Sequence, residues 1–543
     1  VIERAFRTIV IAIVAFYLIV QSVYVMRLPL VMDEFDGAYE VYRLLRDVPY
    51  RDFVPYKTVL GYYLEVPGAA LASDVWRRIL SIKMELAIVN GLALFAAALY
   101  STRFARKAAV AAALVLLVFC SAFLERSSEL RVDMLMAWAG LASLLLLLDR
   151  RYAWAGAACA IAFLISQKGS FYFVAANAAL AGGWAILDRT RRGVRDFVAF
   201  NAVFVLVVGI YVGVWSLLSS PGIVLRSTFV SAVGAGTIEG YDIRERFWIP
   251  LLIRNPAYFL LAAAALWRLA VAVRRERKRL HLDVVLFSLV VLGLSALYSQ
   301  PWPYHFLVFL PTVFVVHAVF FDTMPLPRTI GAIIVAFGVL YPAFRIPIAA
   351  ARDNSYQRYN VGLASAILQP GDTYLAGADL IHDHAQTLEM LQRLDATALA
   401  QLNAAGRGAA VGIAFALHRR PPKLVISNYR IIALPRPLLK WIDAHYTPLS
   451  GSVRPYAPRV ESGTSDIRFA HAGRYLIDSP RPDVLTIDGR TYRSGEYVRL
   501  TAAHHRITSR YPSRLRLIPE GIEETLDSRF LAEQNFYPAV YDY

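Results

Sequence analysis

The stretch RTIVIAIVAFYLIVQSVYVM, residues 7–26, carries a single formal charge, Arg7, at its first position. As a helix rising about 1.5 Å per residue it reaches about 30 Å, the thickness of a bilayer's hydrocarbon core. No small-x-small cleavage site follows it, so it reads as a permanent span rather than a secretory leader. The rest of the chain agrees. Of its 543 residues 57% are hydrophobic and only 18% charged, with a mean hydropathy of +0.45, whereas soluble chains carry about one quarter charged residues. A polytopic α-helical membrane protein is expected. The net charge of +16 would suit nucleic acid if it lay on one domain face, but the basic residues fall in short clusters between apolar runs. That pattern serves membrane orientation. Cys120 and Cys159 each sit inside an apolar run with no C-x-x-C spacing, so neither a disulfide framework nor a thiolate metal site is expected.

Working outward from residues 7–26, eleven apolar runs are long enough to read as spans: 7–26, 79–101, 108–124, 133–148, 152–167, 170–187, 197–219, 248–272, 283–299, 304–321 and 328–347. STRFARK (101–107), DRRY (149–152), DRTRRGVRD (188–196) and RRERKRLHLD (274–283) between them are rich in Arg and Lys, whereas YSQPWPYH (298–305) has neither. The positive-inside rule makes the basic connections cytoplasmic, and the N-terminus with them. Alternation then turns outward the segment 27–78, ERSSELRVD (125–133), QKG (167–169), the connection 220–247 and the turn 298–305. The tail beyond about residue 350 is outward too. Residues 1–349 are thus expected to form one multi-span domain with 27–78 as its first outer loop.

The tail changes to a mixed polar and apolar composition, the mark of a separate soluble domain. DTYLAG (372–377) and KLVISN (423–428) are strand-like and alternate with helix-like stretches, which predicts a small α/β layer over 350–452. From 453 to 543 short alternating runs predict a β-sandwich-like region, with a hairpin turn at Asp488–Gly489. No G-x-x-x-x-G-K-[ST] loop occurs in the chain, so nothing suggests nucleotide hydrolysis. The glycine-rich connection 220–247 is longer than a simple turn needs, and is either a mobile lid over a site or a plain connector.

On this topology Asp33, Glu34, Asp36, Lys57, Glu125, Glu129, Arg131, Asp133, Lys168, Tyr304 and His305 all come to one membrane face. Ionisable groups at spans usually line a cavity or pair with one another. Each also has a plainer reading. Asp33 suits the N-cap of a helix over about 34–46, with Ala38, Tyr42 and Leu45 on its apolar stripe, Asp36 in its first turn and Glu40 on its exposed face. Asp133 suits a span's N-terminus, Lys168 can snorkel to the headgroups, and His305 can belong to the interfacial aromatic belt. Clustering on one face favours a polar, outward-opening site.

Several of these stretches together resemble a family. An Asp-Glu pair after the first span, VPYRDFVPYKTVLGYYL (48–64), RVDMLM (131–136), FLISQKGSFYF (163–173) and PWPYHFLVFLP (301–311) are similar to the membrane glycosyltransferases of the GT-C class. The likeness is to protein O-mannosyltransferases and the bacterial aminoarabinose transferase that modifies lipid A. PPKLVISNYRIIALPRPLLKWIDAHYTPLSG (421–451) is similar to the outer domain of many bacterial members. The resemblance implies transfer of a sugar from a polyprenyl-phosphate carrier to an acceptor hydroxyl on a glycan, lipid or protein, at the outer face of the bacterial inner membrane. It implies catalytic roles for Asp33, as general base, with Glu34 beside it, and for Asp133. Lys57, Lys168 and Arg131 would meet the donor phosphate, and Tyr56, Tyr304 and His305 would line the substrate. Thr58-Val59 stands where the family often has two prolines.

The chemistry is coherent. A hydroxyl attacking an anomeric carbon loses its proton as the bond forms, which a carboxylate can accept. The departing phosphate needs cations, and direct displacement inverts the anomeric centre. No cofactor is required; DEFD (33–36) offers hard oxygen ligands for a divalent metal, but neutralisation by the lysines and Arg131 suffices. The alternative is a transporter or lipid flippase of the cell envelope, in which the same cavity is a path. Against it, no internal repeat marks two related halves.

Overall fold

The computed structural model describes residues 2–187, 189–230, 243–323, 328–479, 481, 483–531 and 536. The chain divides into two compact units, one comprising Val1–Leu28 and Glu40–Arg352, the other Pro29–Tyr39 and Asp353–Asp542. The expected domain change near residue 350 falls at Asp353, but the expected first outer loop is split. Its residues 29–39 pack with the tail, through contacts to residues more than 300 positions away.

The first unit is helical. Among the described residues, six helical stretches are long and apolar enough to cross a membrane, including Ala5–Arg27, Val75–Ser101, Arg191–Leu218, Pro256–Glu276 and Arg279–Leu297. Lys107–Val118, Asp133–Leu148, Tyr152–Ile165 and Leu310–Thr323 are apolar but shorter. At about 1.5 Å per residue, a helix of twelve residues such as Lys107–Val118 reaches only about 18 Å. Small residues set the closest approaches. A Cβ on Gly140 would meet the Tyr172 ring at 2.3 Å, and one on Gly156 would meet the Phe200 carbonyl oxygen at 2.2 Å. Cys120 and Cys159 are buried and unpaired with each other, as small core residues. Of the 220–247 connection, 231–242 lies outside the described residues, and with it most of the proposed lid. Pro221–Leu225 and Arg244–Arg254 on either side are helical.

The second unit carries three sheets. Strands β1 (Tyr374–Leu375), β2 (Leu424–Ile426) and β3 (Val453–Pro455) form one, with β1 and β2 parallel and β3 antiparallel to β2. Strands β4 (Arg459–Val460), β5 (Gly463–Arg468), β6 (Gly473–Asp478), β7 (Val484–Ile487), β8 (Arg490–Arg493), β9 (Tyr497–Leu500), β10 (His504–Ser509) and β11 (Ser513–Leu517) make two antiparallel sheets, ordered β5-β10-β7-β8 and β4-β11-β6-β9. Their burial alternates along the strands, as in β10 and β11, because one face of each sheet meets a shared core of Tyr475, Ile477, Ile507 and Leu515. Asp488 and Gly489 both have positive φ, 48° and 81°, the geometry a two-residue hairpin needs. Helices Ala396–Ala404 and Gly406–Arg419 are separated at the Gly406 bend, where φ is +80°.

Candidate functional site

In the first unit, helix Asp133–Leu148 opens on its only acidic residue, at an end whose exposed N–H groups favour negative charge. Asp133 is fully buried. Its Oδ1 accepts from Lys168 Nζ at 2.9 Å, and its Oδ2 from Lys57 Nζ and Arg131 Nε, both at 3.3 Å. Three cations therefore share one carboxylate. Lys168 comes from the single 3₁₀ turn Gln167–Gly169. That turn packs so tightly that a Cβ on Gly169 would lie 2.4 Å from the backbone of Ala162 and Phe163.

Aromatic faces complete the cluster. The turn Pro303–Val308 places the Tyr304 ring centroid 3.3 Å from Arg131 Cζ and 5.0 Å from Lys168 Nζ, within the reach of cation–π attraction. His305 is fully buried and stacks on Tyr298 with ring centroids 4.6 Å apart. It contributes packing beside Lys168 rather than a hydrogen bond to the carboxylate. Tyr56, next to Lys57, is half exposed.

Lys57 is held by its neighbours in the loop. The Tyr211 hydroxyl accepts the Val59 N–H at 3.0 Å and lies 2.6 Å from the Tyr50 hydroxyl, while Tyr63 stacks on Trp215. Burial, with the Arg131 and Lys168 charges, holds the Lys57 ammonium down to about 8, against the opposing pull of Asp133. Glu65, eight positions on, is buried and its carboxyl is pushed well up, mainly by burial and then by Glu85.

Asp33, Glu34 and Asp36 group in the second unit. Helix Met32–Leu44 begins one residue before Asp33, so Asp33 lies in its first turn and is not its N-cap. Glu34 is buried, and its Oε2 accepts the Val31 N–H at 2.9 Å, which makes it a turn-closing group. Asp36 and Glu40, expected at the helix surface, are both buried. Asp36 accepts from Arg430 Nη1 at 3.0 Å and from the Asp379 N–H at 3.0 Å, and lies 3.6 Å from Arg393. Leu45, expected on the apolar stripe with Ala38 and Tyr42, is exposed, whereas those two are buried. Asp33 keeps 43% of its side-chain surface exposed and pairs with Arg430 Nη2 at 3.1 Å. Among Asp33, Glu34 and Asp36 it is the carboxylate that solvent reaches.

The structure is similar to ArnT of Cupriavidus metallidurans bound to undecaprenyl phosphate, with a TM-score of 0.54 at 15% identity, covering 70% of this chain and 85% of that one. It is also similar to the oligosaccharyltransferase of Archaeoglobus fulgidus in the apo form, with a TM-score of 0.51 at 12% identity, covering 90% and 74%. The fold is that of the GT-C glycosyltransferases. The complex of the Archaeoglobus enzyme with zinc and sulfate matches over 94% of this chain and 98% of that one, with a TM-score of 0.51 at 10% identity. No family model and no curated protein matches the sequence. The chain is a multi-pass membrane protein of GT-C fold.

Asp133, Lys57, Lys168, Arg131, Tyr304 and His305 are all expected from the sequence at one face, whereas Tyr298, the acidic group's partners Arg430 and Arg393, and the Tyr211 hydroxyl that braces the Lys57 loop are not. Arg430 had one local signal, a cation set in the apolar stretch NYRIIAL (428–434) directly after a capping Asn428.

Proposed function

We propose that the chain is an integral-membrane glycosyltransferase that moves a sugar from a polyprenyl-phosphate carrier to an acceptor hydroxyl at the outer face of the membrane. The observation that carries this reading is the meeting of the part-buried Lys57, Lys168 and Arg131 on the single buried carboxylate of Asp133. Two lysines and an arginine gathered on one buried carboxylate are a poor arrangement for stability alone, since desolvating charge is costly. It becomes favourable when an anion enters. ArnT, whose fold the chain shares, is described bound to undecaprenyl phosphate, which supports a carrier phosphate as that anion.

In this scheme the donor phosphate sits against Lys57, Lys168 and Arg131, with Tyr56, Tyr304 and His305 nearby. As the anomeric C–O bond breaks, negative charge grows on the departing phosphate, and preplaced cations stabilise it. Losing one such donor typically costs about 10²–10³ in rate. Asp33 takes the acceptor's proton, and direct displacement inverts the anomeric carbon. Asp133, with both oxygens engaged, serves as counter-ion and spacer for the cations rather than as a proton carrier. Glu34, tied to the Val31 N–H, supports the turn. In this reading the two lysines and Arg131, rather than a metal, neutralise the phosphate. The orientation that fits puts the first helix's N-terminus in the cytoplasm and the acceptor on the opposite side, in the inner membrane of a bacterial envelope.

The test uses the full chain in lipid nanodiscs with a polyprenyl-phosphate donor labelled in its sugar and envelope extract as acceptor. Labelled sugar should move to the extract, and Asp33→Asn should lower the rate by about 10²–10⁴, the usual weight of a general base. Donor bound but never consumed would overturn the enzyme reading in favour of transport.

A further inference from the structure

Arg430 is the point where the acidic segment meets the rest of the second unit. Its side chain is 4% exposed. The Asn428 side chain accepts from the Arg430 and Ile431 N–H groups, and Asn428 Nδ2 donates to the Ala376 carbonyl at 2.8 Å, so the backbone beneath the arginine is fixed. At the far end, Nη1 donates to Asp36 Oδ2 and to the Gly377 carbonyl, each at 3.0 Å, while Nη2 donates to Asp33 Oδ1 at 3.1 Å. Asp36 is an anchored partner, held also by the Asp379 N–H and by Arg393. A guanidinium is a rigid plane with its donors in a fixed fork. Tying one nitrogen to Asp36 and Gly377 therefore determines where the other meets Asp33.

Two uses of this fork are possible. As a purely structural tie, it would pin residues 29–39 to the tail, and Asp36 alone would suffice. The Gln357 side chain already holds the same segment, accepting the Leu30 N–H at 2.7 Å and donating to the Leu30 carbonyl at 2.9 Å. The second arm reaches the one carboxylate of the group that remains exposed, which the tie does not require. We propose that Arg430 is a positioning residue for Asp33, fixing the orientation of its carboxylate toward the incoming acceptor hydroxyl. This rests on the reading of Asp33 as the proton acceptor and deepens it: the base is set by an arginine of the tail unit rather than by its own helix. Proton acceptors must lie within hydrogen-bond reach of the proton they take, and a misplacement of about 1 Å can cost about 10²-fold in rate.

The experiment uses the full chain in nanodiscs with Arg430→Gln, Arg430→Lys, Asp33→Asn and the double variant Asp33→Asn/Arg430→Gln. Turnover of the labelled donor is measured alongside mass-spectrometric carbodiimide labelling of Asp33 at one fixed pH. Arg430→Gln should lower kcat by about 10- to 100-fold, with the donor KM changed by less than about twofold. Lysine, which restores the charge without the fork, should recover part of the loss. In the Asp33→Asn background the second change should lower the residual rate less than about twofold, because the two residues act as a unit. Labelling of Asp33 should rise severalfold in Arg430→Gln and much less in Arg430→Lys, a readout that needs no turnover. An inactive Asp33→Asn beside an unaltered Arg430→Gln would overturn the positioning role alone. Wild-type turnover by Asp33→Asn would overturn the base assignment and this proposal together. Equal Asp33 labelling in wild type and Arg430→Gln would show that the arginine does not hold the carboxylate, and would overturn the proposal by itself.

Discussion

Lys57 shows how the site sets one residue's ionisation against another's. Buried between two further cations, its ammonium is held down to about 8, so in the empty protein it begins to lose its proton just above neutral pH. An anion that binds the charged form must then bring a proton with it. The sign follows: affinity for a polyprenyl phosphate is full below pH 8 and falls as pH rises through that value, by about tenfold between pH 7 and pH 9 for one proton taken up. Titrating the full chain with the lipid phosphate across that range measures this directly. Lys57→Arg should flatten the dependence, because arginine keeps its charge throughout. A wild-type affinity that is flat from pH 7 to pH 9 would remove Lys57 from the phosphate site. Asp133, by contrast, was legible in sequence as a carboxylate at a helix start on the same face as the three cations, but not as their shared partner. What it does depends on three partners from 76 positions before it to 35 after it, and no local pattern encodes those.

Among the elements, the tight turns decide more than the long helices. Helix Leu60–Tyr63 follows Lys57 and packs so closely that a Cβ on Gly61 would meet Val132 Cγ1 at 2.5 Å. Val132 immediately precedes Asp133. Gly61→Ala should therefore push the Lys57 loop and the start of helix Asp133–Leu148 apart, at an overpacking cost of about 1–3 kcal/mol. Lipid-phosphate affinity should weaken severalfold with the rest of the fold intact, as binding and thermal unfolding would report together. Unchanged affinity would mean that the loop is not held by this contact. The long apolar helices were readable because an uninterrupted apolar run admits few alternatives. The first acidic helix was misread in part. Its surface pattern pointed Asp36 and Glu40 to solvent, but both are buried. A charged residue meets the expectation of exposure unless a distant partner neutralises it, and for Asp36 that partner is Arg430, 394 positions away.

At the scale of the molecule, a GT-C fold at 10–15% identity to the compared structures shows that apolar runs, their order and the change of composition near residue 350 specify the architecture with little help from individual residues. Residues 29–39 are the exception, because their place with the tail depends on long-range hydrogen bonds that composition does not record. The most direct test is a structure of the full chain determined with a polyprenyl phosphate bound. The account predicts the phosphate within hydrogen-bond reach of Lys57 and Lys168, with Arg131 beside it. A phosphate bound away from all three cations would contradict it.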